Sequence, residues 1–390
     1  MPNIENRWVM LGVLFLARTA MALQFQAVGS AGPVLIDALA IDFASLGLLI
    51  GLYMLPGVAI ALPGGVLGQR FGAKAIVLAG LGMMVIGGAV MGLSHAYWPM
   101  VAGRLVSGTG AVLFNVMITK MIADWFAGRE IVIAMGVFVS SWPFGLAVAL
   151  MVFGPLAATQ GYALVMHLGA LACLVSFALV LMLYRDPPDM PAEPRARFSL
   201  DLTRREWLTV SAAALVWGFL NSSYIVLVSF APEIFTQRGF SIADASRLMS
   251  LLGWSFIPAI PLWSIAAERL KRPNLIMYAT FVICALALAA LPFTAAPLVP
   301  LGVLMVMFGA APGLLMALPA QTLRAKSRGS GMGIYYSWYY ALMALLPSGA
   351  GLTRDVSGSF AAPTLFAAAL MLLCVIALML FHAAKRVPEQ

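Results

Sequence analysis

The sequence predicts an all-α polytopic membrane protein whose twelve transmembrane helices form two six-helix bundles. Three observations carry this prediction. Hydrophobic residues make up 62% of the 390 residues and charged residues only 10%, whereas a soluble domain has about 25% charged residues. Apolar runs close to the ~20 residues needed to cross a bilayer recur along the whole chain. Short motifs also recur between the two halves at a nearly constant offset.

The spans fall at about 8–30, 44–66, 75–94, 99–122, 131–153, 162–184, 207–230, 246–266, 274–294, 299–320, 331–350 and 361–383. An even number puts both termini on one side. Placing them in the cytoplasm leaves Arg238, Arg247 and Arg354 outside and Arg18 and Arg104 within the membrane. The other 18 of the 23 Lys and Arg lie on the cytoplasmic side or at helix ends facing it, as the positive-inside rule requires. The net charge of +8 therefore reads as topology and gives no reason to invoke nucleic acid. The expected location is a cell membrane of the bacterial inner-membrane kind.

Ala20-Met21-Ala22 has the form of a signal-cleavage site, but Arg18 interrupts the apolar region, so the first span reads as a retained helix. Cys173, Cys284 and Cys374 each lie in an apolar stretch and read as free, buried thiols. The one long polar segment, Arg185 to Arg205, contains Pro187, Pro188, Pro191 and Pro194 and reads as a flexible cytoplasmic linker. The organisation is thus a bundle over 1–184, a linker over 185–206 and a second bundle over 207–390.

The halves repeat. Gly51 to Pro56 in the second span matches Gly253 to Pro258 in the eighth. Pro33 matches Pro232, and Gln69-Arg70 matches Glu268-Arg269. The offsets are 202, 199 and 199 residues. Each half starts from the same side, so the repeat is parallel, about an axis along the membrane normal.

The loop after the second span reads Gly65-Val66-Leu67-Gly68-Gln69-Arg70-Phe71-Gly72-Ala73-Lys74. It resembles the major facilitator superfamily signature G-x-L-x-D-R-x-G-R-K at Gly65, Leu67, Arg70, Gly72 and Lys74. Gln69 stands where the family has an acid and Ala73 where it has a basic residue. In the fourth span, Arg104, Gly108 and Gly110 resemble the family's second motif. The resemblance covers the whole chain, and parts of the first two spans resemble the cyanate and nitroimidazole transporter-like branch. It implies secondary transport by alternating access around a central site. It also implies that Gly65, Gln69, Arg70, Gly72 and Lys74 act as a conformational latch.

Candidate site residues follow from charge and helical period. Arg18 sits mid-way along the first span, where an arginine costs about 2.5–3.5 kcal/mol and usually faces a bundle interior or wet cavity. At about 100° per residue, Ala22 and Phe25 share its stripe and Gln26 lies at the edge. The competing reading has Arg18 simply bonding a backbone carbonyl. Arg104 and Asn115 share a line on the fourth span, and Arg104 is open to the same two readings. The 199-residue offset maps Arg18, Ala22 and Phe25 onto Trp217, Asn221 and Tyr224, so an Arg18 face in one half is expected to oppose a Trp-Asn-Tyr face in the other. The competing reading makes Trp217 and Tyr224 packing residues and Asn221 helix–helix glue. Tyr335 and Tyr339 share a face in an aromatic run and could donate to an anion.

All fifteen Asp and Glu fall in loops or near helix ends, which argues against cation coupling through a membrane-buried acid. The expected function is transport of a small organic or inorganic anion, with Arg18 as main counter-charge. The expected protein is a monomer in the lipid bilayer with no cofactor or metal. The rivals are an exporter of amphipathic or drug-like compounds and, from another class, a transport-dead sensor or a membrane enzyme.

Overall fold

The computed structural model describes residues 7–60, 71–126, 130–187, 202–324 and 327–388. The described residues are helical nearly throughout, with no strand among them. The first half contains α1 (Arg7–Ser30), the short α2 (Gly32–Leu39), α3 (Phe43–Leu52), α4 (Gly57–Ile60), α5 (Ala73–Leu93), α6 (Tyr97–Phe126), α7 (Ile131–Gln160) and α8 (Tyr162–Leu183). The second half contains α9 (Arg204–Phe230), the short α10 (Pro232–Thr236), α11 (Ile242–Leu270), α12 (Pro273–Ala290), α13 (Leu298–Met307), α14 (Pro312–Met316), α15 (Arg328–Ser357) and α16 (Ala362–Ala384). Among the described residues, eleven stretches are long and apolar enough to cross a bilayer. The twelfth span is α15, a 30-residue helix made less apolar by Tyr335, Tyr336, Tyr339 and Tyr340.

Several helices run past their apolar stretches. α6, α11 and α15 extend to Phe126, Leu270 and Ser357, because backbone hydrogen bonding continues into the interface after hydropathy falls. Two spans are interrupted where proline removes a donor. A turn over 53–56, ending at Pro56, separates α3 from α4, and a 3₁₀ turn at Phe308–Ala310 with Pro312 separates α13 from α14. The repeat is visible locally: Pro33 and Pro232 each start a short helix after the first helix of their half. Each half also seats a buried thiol on the carbonyls of its first helix, Cys173 on Ala20 at 3.8 Å and Cys374 on Val216 at 3.6 Å.

The chain clusters into two compact units, Met1–Ile41 with Leu52–Phe198, and Asp42–Gly51 with Ser199–Gln390. In the second unit α3 lies directly on α15. A Cβ added at Gly47, Gly51 or Gly351 would fall on the backbone carbonyl of Pro347, Ala344 or Phe43 respectively. Small residues are what permit such backbone approach. The Asp355 carboxylate accepts the Phe43 and Ala44 N–H groups at 3.1 and 2.8 Å, satisfying donors that a helix start leaves open. Next to it, Arg354 grips Glu233 at 2.6–3.2 Å and lies over the Phe43 ring.

The start of α9 is fixed by a capping box between Thr203 and Glu206. Glu206 is 2% exposed. Its carboxylate also accepts the backbone N–H and two guanidinium nitrogens of Arg324 at 2.8–3.0 Å, and the Ser327 hydroxyl. This ties the segment before α15 to α9. Glu206→Gln keeps the shape but removes the charge, and hydrogen bonds to charged groups contribute about 1.5–3 kcal/mol. A clear drop in melting temperature is therefore expected, with little change for Glu268→Gln at an exposed helix end.

Candidate functional site

In the first unit, Arg18 lies at the midpoint of α1 and is half-buried. Its Nη1 donates to the Phe138 carbonyl of α7 at 3.2 Å, and its guanidinium lies 4.2 Å from the centre of the Phe138 ring. α1 reaches α7 closely because Gly145 faces Ala22 and Thr19, where a Cβ would collide with both; Phe15 and Phe144 also meet, at 5.8 Å. The stripe shared by Arg18 and Ala22 is thus the seam with α7. One part of the backbone-carbonyl reading is present, and it holds the cation's plane in a fixed orientation.

Phe25 is fully buried between Tyr53, Trp142 and the Arg104 guanidinium, at 5.6, 5.4 and 5.5 Å. Arg104 is 0% exposed. Its two terminal nitrogens donate to the Gln24 and Phe25 carbonyls at 3.1 and 2.7 Å, and its plane sits 4.5 Å from the Tyr53 ring centre. The α6 backbone comes this close because Gly108 faces the Tyr53 carbonyl. Gln24 completes the cluster, donating to the Met84 carbonyl at 2.6 Å and accepting from the Tyr53 hydroxyl at 3.2 Å. Sequence reasoning missed Gln24 and Tyr53. The signal available was two polar groups deep in apolar runs, which demand partners.

Gln26 and Asn115 behave differently. Gln26 Nε2 and Asn115 Oδ1 are buried and have no hydrogen-bond partner from the protein, although more than about 90% of such groups normally find one.

In the second unit, Trp217 and Asn221 are half-buried on α9. The Asn221 amide donates back to the Trp217 carbonyl at 2.8 Å. Trp217 faces Tyr339 at 6.3 Å, and Tyr339 joins a cluster with Tyr336, Tyr340 and Tyr335. Tyr224 packs elsewhere, against Phe256 and Phe308 at 4.8 and 5.7 Å. The structure therefore joins Trp217 to Tyr339 and gives Tyr224 a separate aromatic pocket. The Tyr224 and Tyr335 hydroxyls are also buried with no partner from the protein.

Of the residues expected to form a latch, Gly65, Gln69 and Arg70 lie outside the described residues. Gly72 precedes α5 at φ +83°, a conformation that glycine adopts without strain. Lys74 donates to the Tyr184 and Leu181 carbonyls at 2.7 and 3.2 Å, capping the C-terminal end of α8 with positive charge, as the helix dipole favours. Lys120 pairs with Asp124 at 2.8 Å, so it bonds within its own helix. His167 lies over Gly92, a packing role.

Comparison with known proteins places these residues in a family. The family model described as Major Facilitator Superfamily matches residues 14–347 and 222–390. The inner membrane transport protein YajR of Escherichia coli K12 is 24% identical over 345 residues, covering 85% of this chain and 73% of YajR. The hexuronate transporter of Bacillus subtilis 168 is 22% identical over 251 residues, covering 62% of this chain and 59% of that protein. The multidrug resistance protein MdtH of Shigella boydii is 28% identical over 130 residues, 32% of this chain and 30% of MdtH. Among solved structures, a point mutant of the nucleoside transporter NupG superposes with a TM-score of 0.79 at 16% identity, covering 98% of this chain and all of NupG. The D-xylose-proton symporter superposes with a TM-score of 0.78 at 14% identity, covering 98% of each chain; at such identities these likenesses speak to the fold. The family match spans nearly the whole sequence, and this chain belongs to the Major Facilitator Superfamily.

Proposed function

We propose that this superfamily transporter is a secondary carrier of a small organic or inorganic anion, working by alternating access without catalytic chemistry of its own. The observation that carries the reading is Arg18. It is a permanent cation at the centre of the first helix, oriented by the Phe138 carbonyl and ring. A guanidinium presents five donors in a planar fork that matches carboxylate and phosphate geometry. In the same unit, Asn115 Oδ1 is an acceptor suited to a hydroxyl or N–H of an organic substrate rather than to its charge, and Gln26 Nε2 supplies a buried donor without a protein partner. The Tyr224 and Tyr335 hydroxyls do so in the second unit.

Among the relatives, the hexuronate transporter is named for an organic anion, which is compatible with this reading. Arg104, whose fork is engaged by two α1 carbonyls, has a positioning role: it sets the register of α6 against the part of α1 that carries Phe25 and Gln26. We further propose that the protein works as a monomer with both termini in the cytoplasm, and that its halves, 1–184 and 207–390, are joined by a linker over 185–206. The second reading, export of amphipathic compounds, is favoured by the cluster of Trp217, Tyr339 and Tyr336 and by the name of MdtH.

A thermal-shift screen of the purified protein against small anions separates the two. A ligand at 100 times its Kd stabilises by about 2.7 kcal/mol. Anions that stabilise wild type but not Arg18→Gln support the first reading. Hydrophobic compounds that stabilise both equally, with no effect from anions, support the second. The orphaned groups give a companion prediction. Tyr335→Phe and Gln26→Leu remove unsatisfied buried polar atoms, so ligand-free stability should stay level or rise. Affinity for the identified anion should fall about two- to tenfold, the worth of one hydrogen bond. Titration of the shift against ligand concentration measures both.

A further inference from the structure

Away from the residues discussed so far, the second unit holds an open pocket of about 580 Å³ where α12 begins and α16 ends. It is lined by Asn274 and Tyr278 of α12, by Met379, His382 and Ala383 of α16, and by Lys385 and Arg386 just beyond. Its chemistry is divided. One side offers two cations and the polar groups of His382, Asn274 and Tyr278; the other offers a methionine and an alanine. His382 Nε2 is buried with no hydrogen-bond partner from the protein. Its ring is held between Phe381 and Tyr278, at 5.6 and 6.3 Å. Lys385 is steadied by Gln321 Oε1 at 3.2 Å and by the Phe381 ring.

Two apolar tracks leave this pocket. One helical step from Tyr278 along α12 come Val282 and then Leu286, both exposed. From Met379, itself exposed, Ile376 and Leu372 continue back along α16, also exposed. α12 runs away from the pocket and α16 runs toward it, so both tracks point into the membrane from the same end.

We propose that this pocket binds the phosphate of an anionic phospholipid, with the acyl chains lying along the two tracks. Lys385 and Arg386 supply the charge, while His382, Asn274 and Tyr278 supply hydrogen bonds. A basic pocket between helices at a membrane boundary has the chemistry that captures such headgroups. The two tracks favour a lipid over free phosphate, because inorganic phosphate could use only the polar side. The inference is independent of what the protein transports.

The test is lipid titration of the full-length protein in detergent, read by thermal shift and native mass spectrometry. The probes are phosphatidylglycerol, phosphatidylcholine with the same chains, and inorganic phosphate. Wild type should prefer phosphatidylglycerol over phosphatidylcholine. The double variant Lys385→Gln/Arg386→Gln should lose that preference, by about fivefold per charge removed. His382→Phe keeps the ring contacts and should weaken phosphatidylglycerol binding without lowering lipid-free stability. An unchanged preference in these variants would overturn the proposal. Displacement of phosphatidylglycerol by millimolar inorganic phosphate, with the same dependence on these residues, would overturn the lipid assignment and leave a soluble-phosphate site.

Discussion

Gly51→Ala is expected to destabilise the protein by about 3 kcal/mol or more, the upper end of the range for overpacking. A single methyl group does this because of what it meets. The added Cβ lands on the Ala344 carbonyl and its attached backbone, which cannot rotate away as a side chain can. α3 would have to lift off α15, loosening the Asp355 cap on Phe43 and Ala44. Gly12→Ala is the control. It lies in α1 with nothing within 4 Å of the added atom, so only the helix preference for alanine over glycine acts, worth up to about 1 kcal/mol in the stabilising direction. Melting temperatures of the two purified variants check this. Equal shifts would mean that α3 and α15 are not in backbone contact.

The second large effect is expected at Arg104, where truncation and replacement should part company. Arg104→Ala removes two charge-assisted hydrogen bonds and leaves a hole beside Phe25 and Tyr53, a loss of about 3 kcal/mol. Arg104→Met fills much of that volume and removes a costly buried charge. Such apolar replacements are often close to neutral, so its stability should stay within about 1.5 kcal/mol of wild type. Flux through Arg104→Met should nonetheless fall, because nothing then bridges α6 to the Gln24 and Phe25 carbonyls. A stable Arg104→Met protein with undiminished flux would reduce this arginine to a packing residue.

Much of the fold was legible because membrane insertion leaves its mark on short stretches of sequence. An apolar run of helical length can be read without knowing its neighbours, and the pairing of Pro33 with Pro232 was read as a repeat, though not that each proline opens a short helix. α15 was legible too, since its length compensates for its tyrosines. What escaped was long-range. Nothing local to Asp42–Gly51 shows that this segment clusters with the second unit; only the glycines at 47 and 51 hint at a close neighbour. Helical period placed Arg104 and Asn115 on one line, yet it could not say that Arg104 would be occupied by α1 carbonyls while Asn115 Oδ1 would be left without a partner. The same period placed Phe25 on the Arg18 stripe, but could not say that rings from two other segments would enclose it. Glu206 fell at the end of the expected 185–206 linker. The Thr203-x-x-Glu206 pattern marked the cap, and its engagement by Arg324 depends on a segment more than a hundred residues away.

The most direct measurement of the anion reading is flux of labelled small anions into proteoliposomes carrying wild type, Arg18→Lys or Arg18→Gln. Wild type should move at least one anion. Arg18→Gln should lower kcat/KM for it by about 10- to 100-fold, the worth of a hydrogen-bonded charge. Arg18→Lys should fall between them, because it keeps the charge and loses the planar fork. Equal anion flux by wild type and Arg18→Gln would contradict the reading and leave Arg18 as a brace between α1 and α7.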